Sequence, residues 1–128
     1  MILDSNIIIY SVQPLYVNLQ DYLLDRLKSL YTSEITKLEV IGFHRLDEKD
    51  KAYFNDFLGT ITSLPITSEV IQLAIRLRQQ RKRSLGDAII AATAMIHNLP
   101  VVTNNVADFS TIEGLTVISL ADILTGAA

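Results

Sequence analysis

SLGDAIIAATAMIHN, residues 84–98, decides the fold. From Ala88 to Ile96 only Thr93 is polar, so this segment reads as a helix that is apolar nearly all round. Such a helix must be covered on most sides and is expected to be central. Asn98 and Pro100 stop it. One carboxylate, Asp87, stands at its mouth, after the cations Arg81, Lys82 and Arg83. Asp87 reads either as a helix cap or as a ligand at the rim of the core. The roles are compatible, since one oxygen can take the backbone while the other faces a pocket.

Short apolar segments and helical stripes alternate on both sides of this helix. Met1–Leu3, LYTS (30–33), SLPIT (63–67), PVVT (100–103) and LTVIS (115–119) read as strands. NLQDYLLDRLKSL (18–30) carries leucines at 23, 24, 27 and 30, with Asn18 and Asp21 placed to cap a helix. TKLEVIGFHRL (36–46) reads as helix. Phe54, Phe57, Leu58 and Ile61, and then Val70, Leu73, Ala74 and Leu77, repeat the amphipathic spacing. LADIL (120–124) closes the chain as a short helix. SNIIIYSV (5–12) suits strand or helix equally, because its branched residues leave the period ambiguous. The alternation predicts an α/β fold with a mainly parallel sheet, in one domain spanning residues 1–128.

Composition narrows the chemistry. Hydrophobic residues make up 49% and charged residues 20%, a globular balance. There is no cysteine, which excludes disulfides, thiolate zinc sites and cysteine nucleophiles and suits a reducing compartment. MILDSN lacks a basic segment before an apolar run, and no stretch approaches the ~20 apolar residues of a membrane span. A cytoplasmic protein away from membranes is therefore expected. A net charge of −3 argues weakly against a nucleic-acid partner. Yet Arg76, Arg78, Arg81, Lys82 and Arg83 are five of the eleven cations and predict one positive ridge.

Sites in open α/β sheets form at the carboxyl ends of the strands. Asp4 follows the first strand, Glu39 is expected in the first helical turn after LYTS, and Asp108 follows PVVT closely. Asp87 comes from the start of the central helix. Each has a plainer reading. Asp4 suits an N-cap, and Asp108 a turn anchored by Phe109. Thr36 with Glu39, and Ser84 with Asp87, have capping-box spacing. Four acids from four segments at one sheet edge are a less probable accident than any one cap. Two carboxylates ~4 Å apart repel by about 4 kcal/mol at an effective dielectric near 20. Such a cluster needs either protons or a cation. Oxygen-only ligands suit Mg²⁺ or Mn²⁺ rather than zinc. His44 and His97 are solitary, and no Ser/His/Asp set, P-loop or GxGxxG is present.

LDSNIIIY (3–10), TSEITKLEVIGF (32–43), SLGDAIIAATA (84–94) and PVVTNNVADF (100–109) followed by GLTVI (114–118) resemble the PIN-domain family in order and spacing. Within it the likeness is to the VapC ribonuclease toxins of bacterial toxin–antitoxin pairs, over nearly the whole chain. The resemblance implies a three-layer α/β/α sandwich and metal-dependent RNA hydrolysis with Mg²⁺ or Mn²⁺. It carries the acidic ligands onto Asp4, Glu39 and Asp87. The fourth position falls on Asp108 with Asn105 as a neutral partner. Ser5, Asn6 and Thr103 match small polar positions lining the site, and Asn98 stands where glycine is common. Arg76, Arg78, Arg81, Lys82 and Arg83 would draw RNA toward the pocket. An antitoxin and a homodimer are implied partners, with Ile8, Ile9 and Leu24 as interface or core.

Two other acid-pocket folds fit less well. Haloacid-type phosphatases want a second Asp where Asn6 stands. Receiver domains want an acidic pair near Asp4 and a late Lys, and no Lys follows Lys82. The competing reading of another class is a non-catalytic PIN-like module that binds RNA or protein.

Overall fold

Ile2 and Leu3 are neighbours in one strand and point to opposite faces of one sheet, each fully buried in a separate core. The computed structural model describes residues 1–128. Its elements are β1 (Ile2–Leu3), α1 (Ser5–Ser11), α2 (Val17–Leu24), β2 (Tyr31–Ser33), α3 (Glu34–Ile41), α4 (Glu48–Thr60) and β3 (Thr62–Leu64). There follow α5 (Ser68–Gln80), α6 (Leu85–Ile96), β4 (Val101–Thr103), α7 (Val106–Phe109), β5 (Val117–Ser119) and α8 (Leu120–Thr125). The strands pair in the order β3-β2-β1-β4-β5, and every pairing is parallel. The sheet expected to be mainly parallel is therefore wholly so. A parallel sheet needs both faces covered, and helices cover both, giving the three-layer α/β/α arrangement.

Leu3 and Val102 share one core with Ile7, Ile8, Leu19, Leu23, Val40, Phe54 and Ile123. Ile2 and Val101 share the other with Val70, Leu77, Ile90, Ala91 and Phe109. The near-absence of large polar groups on α6 is thus explained by its place against the sheet, where Ala88, Ile90, Ala91, Ala92 and Ala94 are fully buried.

Packing resolves the ambiguous segment. Residues 5–11 are helical, although branched residues cost a few tenths of a kcal/mol each in a helix. Ile7 and Ile8 are completely buried, worth about 1.5–3 kcal/mol apiece, so burial outweighs propensity. Ile8 is therefore core, Ile9 is half-buried, and Leu24 is 50% exposed.

Three expectations are corrected. The leucine stripe of 18–30 is not one helix: α2 ends at Leu24, a short 3-10 turn follows at Leu27–Ser29, and Leu30 is buried just before β2. Asn18 and Asp21 lie inside α2 and do not cap it. Helix α3 starts earlier than expected, because Ser33 and not Thr36 is its cap, with Ser33 Oγ accepting from the Ile35 amide at 3.2 Å. Asn98 follows α6 with φ 54°, the left-handed conformation that favours glycine and that asparagine tolerates. No helix is long and apolar enough to cross a membrane.

Candidate metal centre

Register builds the site. Leu3 pairs with Val102, so the next residues, Asp4 and Thr103, leave the sheet side by side. Thr103 Oγ1 donates to Asp4 Oδ2 at 2.7 Å. Asp4 occupies the N-cap position of α1, but its side chain makes no capping bond, so the cap reading fails there. It is only 4% exposed. Burial pushes its carboxyl above the ordinary range, and the charges of Glu39 and Asp108 add to this. The Thr103 hydroxyl and the Ser5 amide pull the other way.

Glu39 lies in the second turn of α3, not the first, because Ser33 starts the helix three residues before Thr36. Thr36 and Glu39 stay on one helix face by their spacing. Ser5 Oγ lies 2.7 Å from Glu39 Oε1 and 3.1 Å from Thr36 Oγ1. A carboxylate only accepts, so the single Ser5 proton goes to Glu39 and the Thr36 hydroxyl turns to Ser5. Thr36 is fully buried and belongs to the site's support rather than to a cap.

Asp87 sits in the first turn of α6. The cap is Ser84, whose Oγ accepts from the Asp87 amide at 3.1 Å. The Ser84/Asp87 spacing was therefore a true helix start, with the hydroxyl and not the carboxylate doing the capping. Asp87 is half-buried, and its carboxyl is pushed up to about 6. Burial is the main cause, followed by the charges of Asp4 and Asp108; the Ser84 hydroxyl opposes them, and Glu39 adds a smaller push.

Asp108 lies in α7. Asn105 joins it to the rest: its amide N–H donates to Thr103 Oγ1 at 2.8 Å, and its side-chain amide donates to Asp108 Oδ2. The pair left open between Asn105 and Asp108 thus stands together. Asn6 is exposed and its side chain bonds nothing in the protein.

Asp4 feels the charges of Glu39 and Asp108, and Asp87 those of Asp4, Asp108 and Glu39, yet no three acidic or histidine side chains stand at metal-coordinating spacing. The two facts agree physically. Asp4, Glu39 and Asp108 each turn toward a neutral donor, Thr103, Ser5 and Asn105 respectively, which spreads the like charges. No cation of the protein compensates them, since the one ion pair is Lys37 with Glu34, at 3.3 Å on the surface. An oxygen-only, uncompensated acidic set fits Mg²⁺ or Mn²⁺.

The basic ridge is not one ridge. Arg76 and Arg78 are exposed on α5, and Arg81 and Lys82 are exposed in the turn after it. Arg83 is only 7% exposed. Its guanidinium donates to the Leu77 carbonyl at the end of α5 and, at 3.3 Å, to Thr111 Oγ1, while its Nε has no partner. Arg83 ties the last turn of α5 to the segment after α7 and is turned inward rather than toward a ligand. No arginine or lysine is among the groups that shift Asp4 or Asp87. His44 lies against Phe43 with the rings tilted at 50°, and His97 is the C-cap of α6.

A glycine and a threonine escaped the sequence reading. A Cβ on Gly86 would stand 2.6 Å from Glu39 Oε2. Thr36 was legible only as half of a capping box, and Gly86 only as an odd choice for the first turn of a helix.

The molecule is thus a parallel α/β domain with its acids gathered at the carboxyl edge of the sheet. It belongs to the PIN domain family, whose model matches residues 1–115. No curated protein matches the chain by sequence. Among solved structures it is similar to a chain of a toxin–antitoxin complex from Klebsiella pneumoniae, with 29% identity and a TM-score of 0.74, covering 91% of this chain and 94% of that one. A chain of DNA-bound VapBC from Salmonella typhimurium shares the fold with 22% identity and a TM-score of 0.80, covering 92% and 96%. A chain of VapBC2 from Rickettsia felis, bound to a promoter DNA fragment, does so with 20% identity and a TM-score of 0.79, again over 92% and 96%.

Proposed function

We propose that the chain is a metal-dependent endoribonuclease and the toxin of a toxin–antitoxin pair. The observation that carries this is the convergence of Asp4, Glu39, Asp87 and Asp108 with no protein cation among them. Asp4, Glu39, Asp87 and Asp108 would hold Mg²⁺ or Mn²⁺, which when bound activates water and offsets charge building on the phosphate. Ser5 and Thr103 orient Glu39 and Asp4 through their hydroxyls, and Asn105 orients Asp108. Burial and neighbouring like charges make the ionised forms of Asp4 and Asp87 costly, and an incoming cation relieves that cost. RNA is drawn in by Arg76, Arg78, Arg81 and Lys82, the exposed members of the basic stretch.

An antitoxin partner is part of this proposal, supported by the likeness to a chain of the Klebsiella pneumoniae toxin–antitoxin complex. A homodimer belongs to the same reading, and light scattering on the purified protein checks it. The reading places the protein in the cytoplasm.

The test is cleavage of labelled total RNA by the purified protein, with Mg²⁺ or Mn²⁺ and then with EDTA, beside Asp4→Asn. Cleavage that needs the metal and is lost in the variant is expected. Cleavage persisting in Asp4→Asn would sink the assignment. Metal and RNA binding without cleavage on any RNA would favour the non-catalytic module.

A further inference from the structure

Gly86 is buried in the first turn of α6, directly before Asp87. Its backbone does not ask for glycine. Among glycines only Gly114 and Gly126 have positive φ. Helix propensity disfavours glycine against every residue but proline. The reason is therefore space. A Cβ at this position would meet Glu39 Oε2 at 2.6 Å, and Glu39 Cδ and Oε1 at 3.0 Å. The contrast is Gly59 in α4, where a Cβ would meet nothing within 4 Å. The Glu39 carboxylate thus occupies the volume that a side chain at 86 would fill. It is held there by Ser5 Oγ, which donates to Oε1 at 2.7 Å. It is held against its own electrostatics too, because Glu39 raises the carboxyl of neighbouring Asp87.

We propose that Gly86 is a positioning residue: its missing side chain forms the notch that seats the Glu39 carboxylate on the first turn of α6, and so sets its spacing to Asp87. The inference rests on the metal-site reading above and adds a residue that is neither acidic nor polar. Because the clashing atoms are the far end of a flexible side chain, an added methyl displaces Glu39 and spares the helix.

The experiment is calorimetric titration of the purified protein with Mn²⁺, beside its metal-free melting temperature, for wild type, Gly86→Ala, Glu39→Ala and the double variant. Gly86→Ala is expected to weaken Mn²⁺ affinity by about tenfold, as outer-shell changes do, with a metal-free Tm at or above that of wild type. In the Glu39→Ala background the same change should leave affinity unaltered. Equal Mn²⁺ affinity of Gly86→Ala and wild type would overturn the inference. So would an equal loss in both backgrounds, or a fall in metal-free Tm that persists in the double variant, since either means a packing role. Failure of the wild type itself to bind Mn²⁺ overturns the metal-site reading and this inference together, and so is told apart from failure of the notch alone.

Discussion

Thr103 and Asp4 are 99 residues apart in sequence and 2.7 Å apart in space, joined by a hydroxyl that donates to a buried carboxylate. The bond opposes the burial that raises the Asp4 carboxyl. Thr103→Val keeps the shape and removes the donor, so the Asp4 carboxyl rises further. Metal ligands must be deprotonated. Mn²⁺ binding by the variant is therefore expected to set in at higher pH than in wild type, which titration across pH 5 to 8 checks. A fold cost of about 1 kcal/mol accompanies it.

Asp87 makes the metal-free protein sensitive to pH. Its carboxyl is raised to about 6 from an ordinary 3.8, so between these values the folded chain binds a proton that the unfolded chain has lost. Stability then falls as pH rises from about 4 to about 6 and levels off above. For a half-buried group the loss, discounted for solvent screening, is on the order of 1 kcal/mol. Denaturant unfolding of metal-free Asp87→Asn should show this part of the slope removed. The same variant should lose cleavage by at least about 100-fold. A variant that keeps full activity would refute the role of Asp87.

Ser84→Ala separates capping from the site. It removes the hydroxyl that accepts from the Asp87 amide, at a cost of about 1 kcal/mol in stability. It also removes a group that lowers the Asp87 carboxyl, so the pH window of that residue should move up. Thermal melts and the pH profile read the two effects independently.

The basic stretch should divide into two kinds of cation. Arg83→Met strands the Leu77 carbonyl and Thr111 hydroxyl and is expected to cost about 2–3 kcal/mol in unfolding experiments. Arg81→Ala and Lys82→Ala should leave stability within about 0.5 kcal/mol. Each is expected to weaken single-stranded RNA binding and to reduce the salt slope by about 0.7 where it meets a phosphate. Binding isotherms at several salt concentrations decide this.

Much of the fold is legible in the sequence. Helix α6, the strand after it and the alternation around them carried the α/β class, because a period and a composition survive in one dimension. Ser84 also announced the start of α6 correctly. Thr36 shows where that reading stops. Its spacing to Glu39 is that of a capping box, but Ser33 lies one turn earlier and offers the same hydroxyl to the backbone. Two hydroxyls competed for one helix start, and only packing chose, by burying Thr36 against Ser5. Arg83 shows the same limit for charge. Four neighbouring cations stay at the surface, Arg78 among them with its Nε donating to the Arg83 carbonyl at 3.2 Å, and the fifth is folded under α5 by contacts with Leu77 and Thr111.

The sequence by itself determined the apolar periods, the parallel α/β class and the acids Asp4, Glu39, Asp87 and Asp108 with their order, since these depend on residue type and local spacing. Tertiary structure alone decided that residues 5–11 are helix, that Asp4 meets Thr103, and that Glu39 rests in the space left by Gly86. Those outcomes follow from strand register and from burial worth more than local propensity, and both are properties of segments brought together from far along the chain.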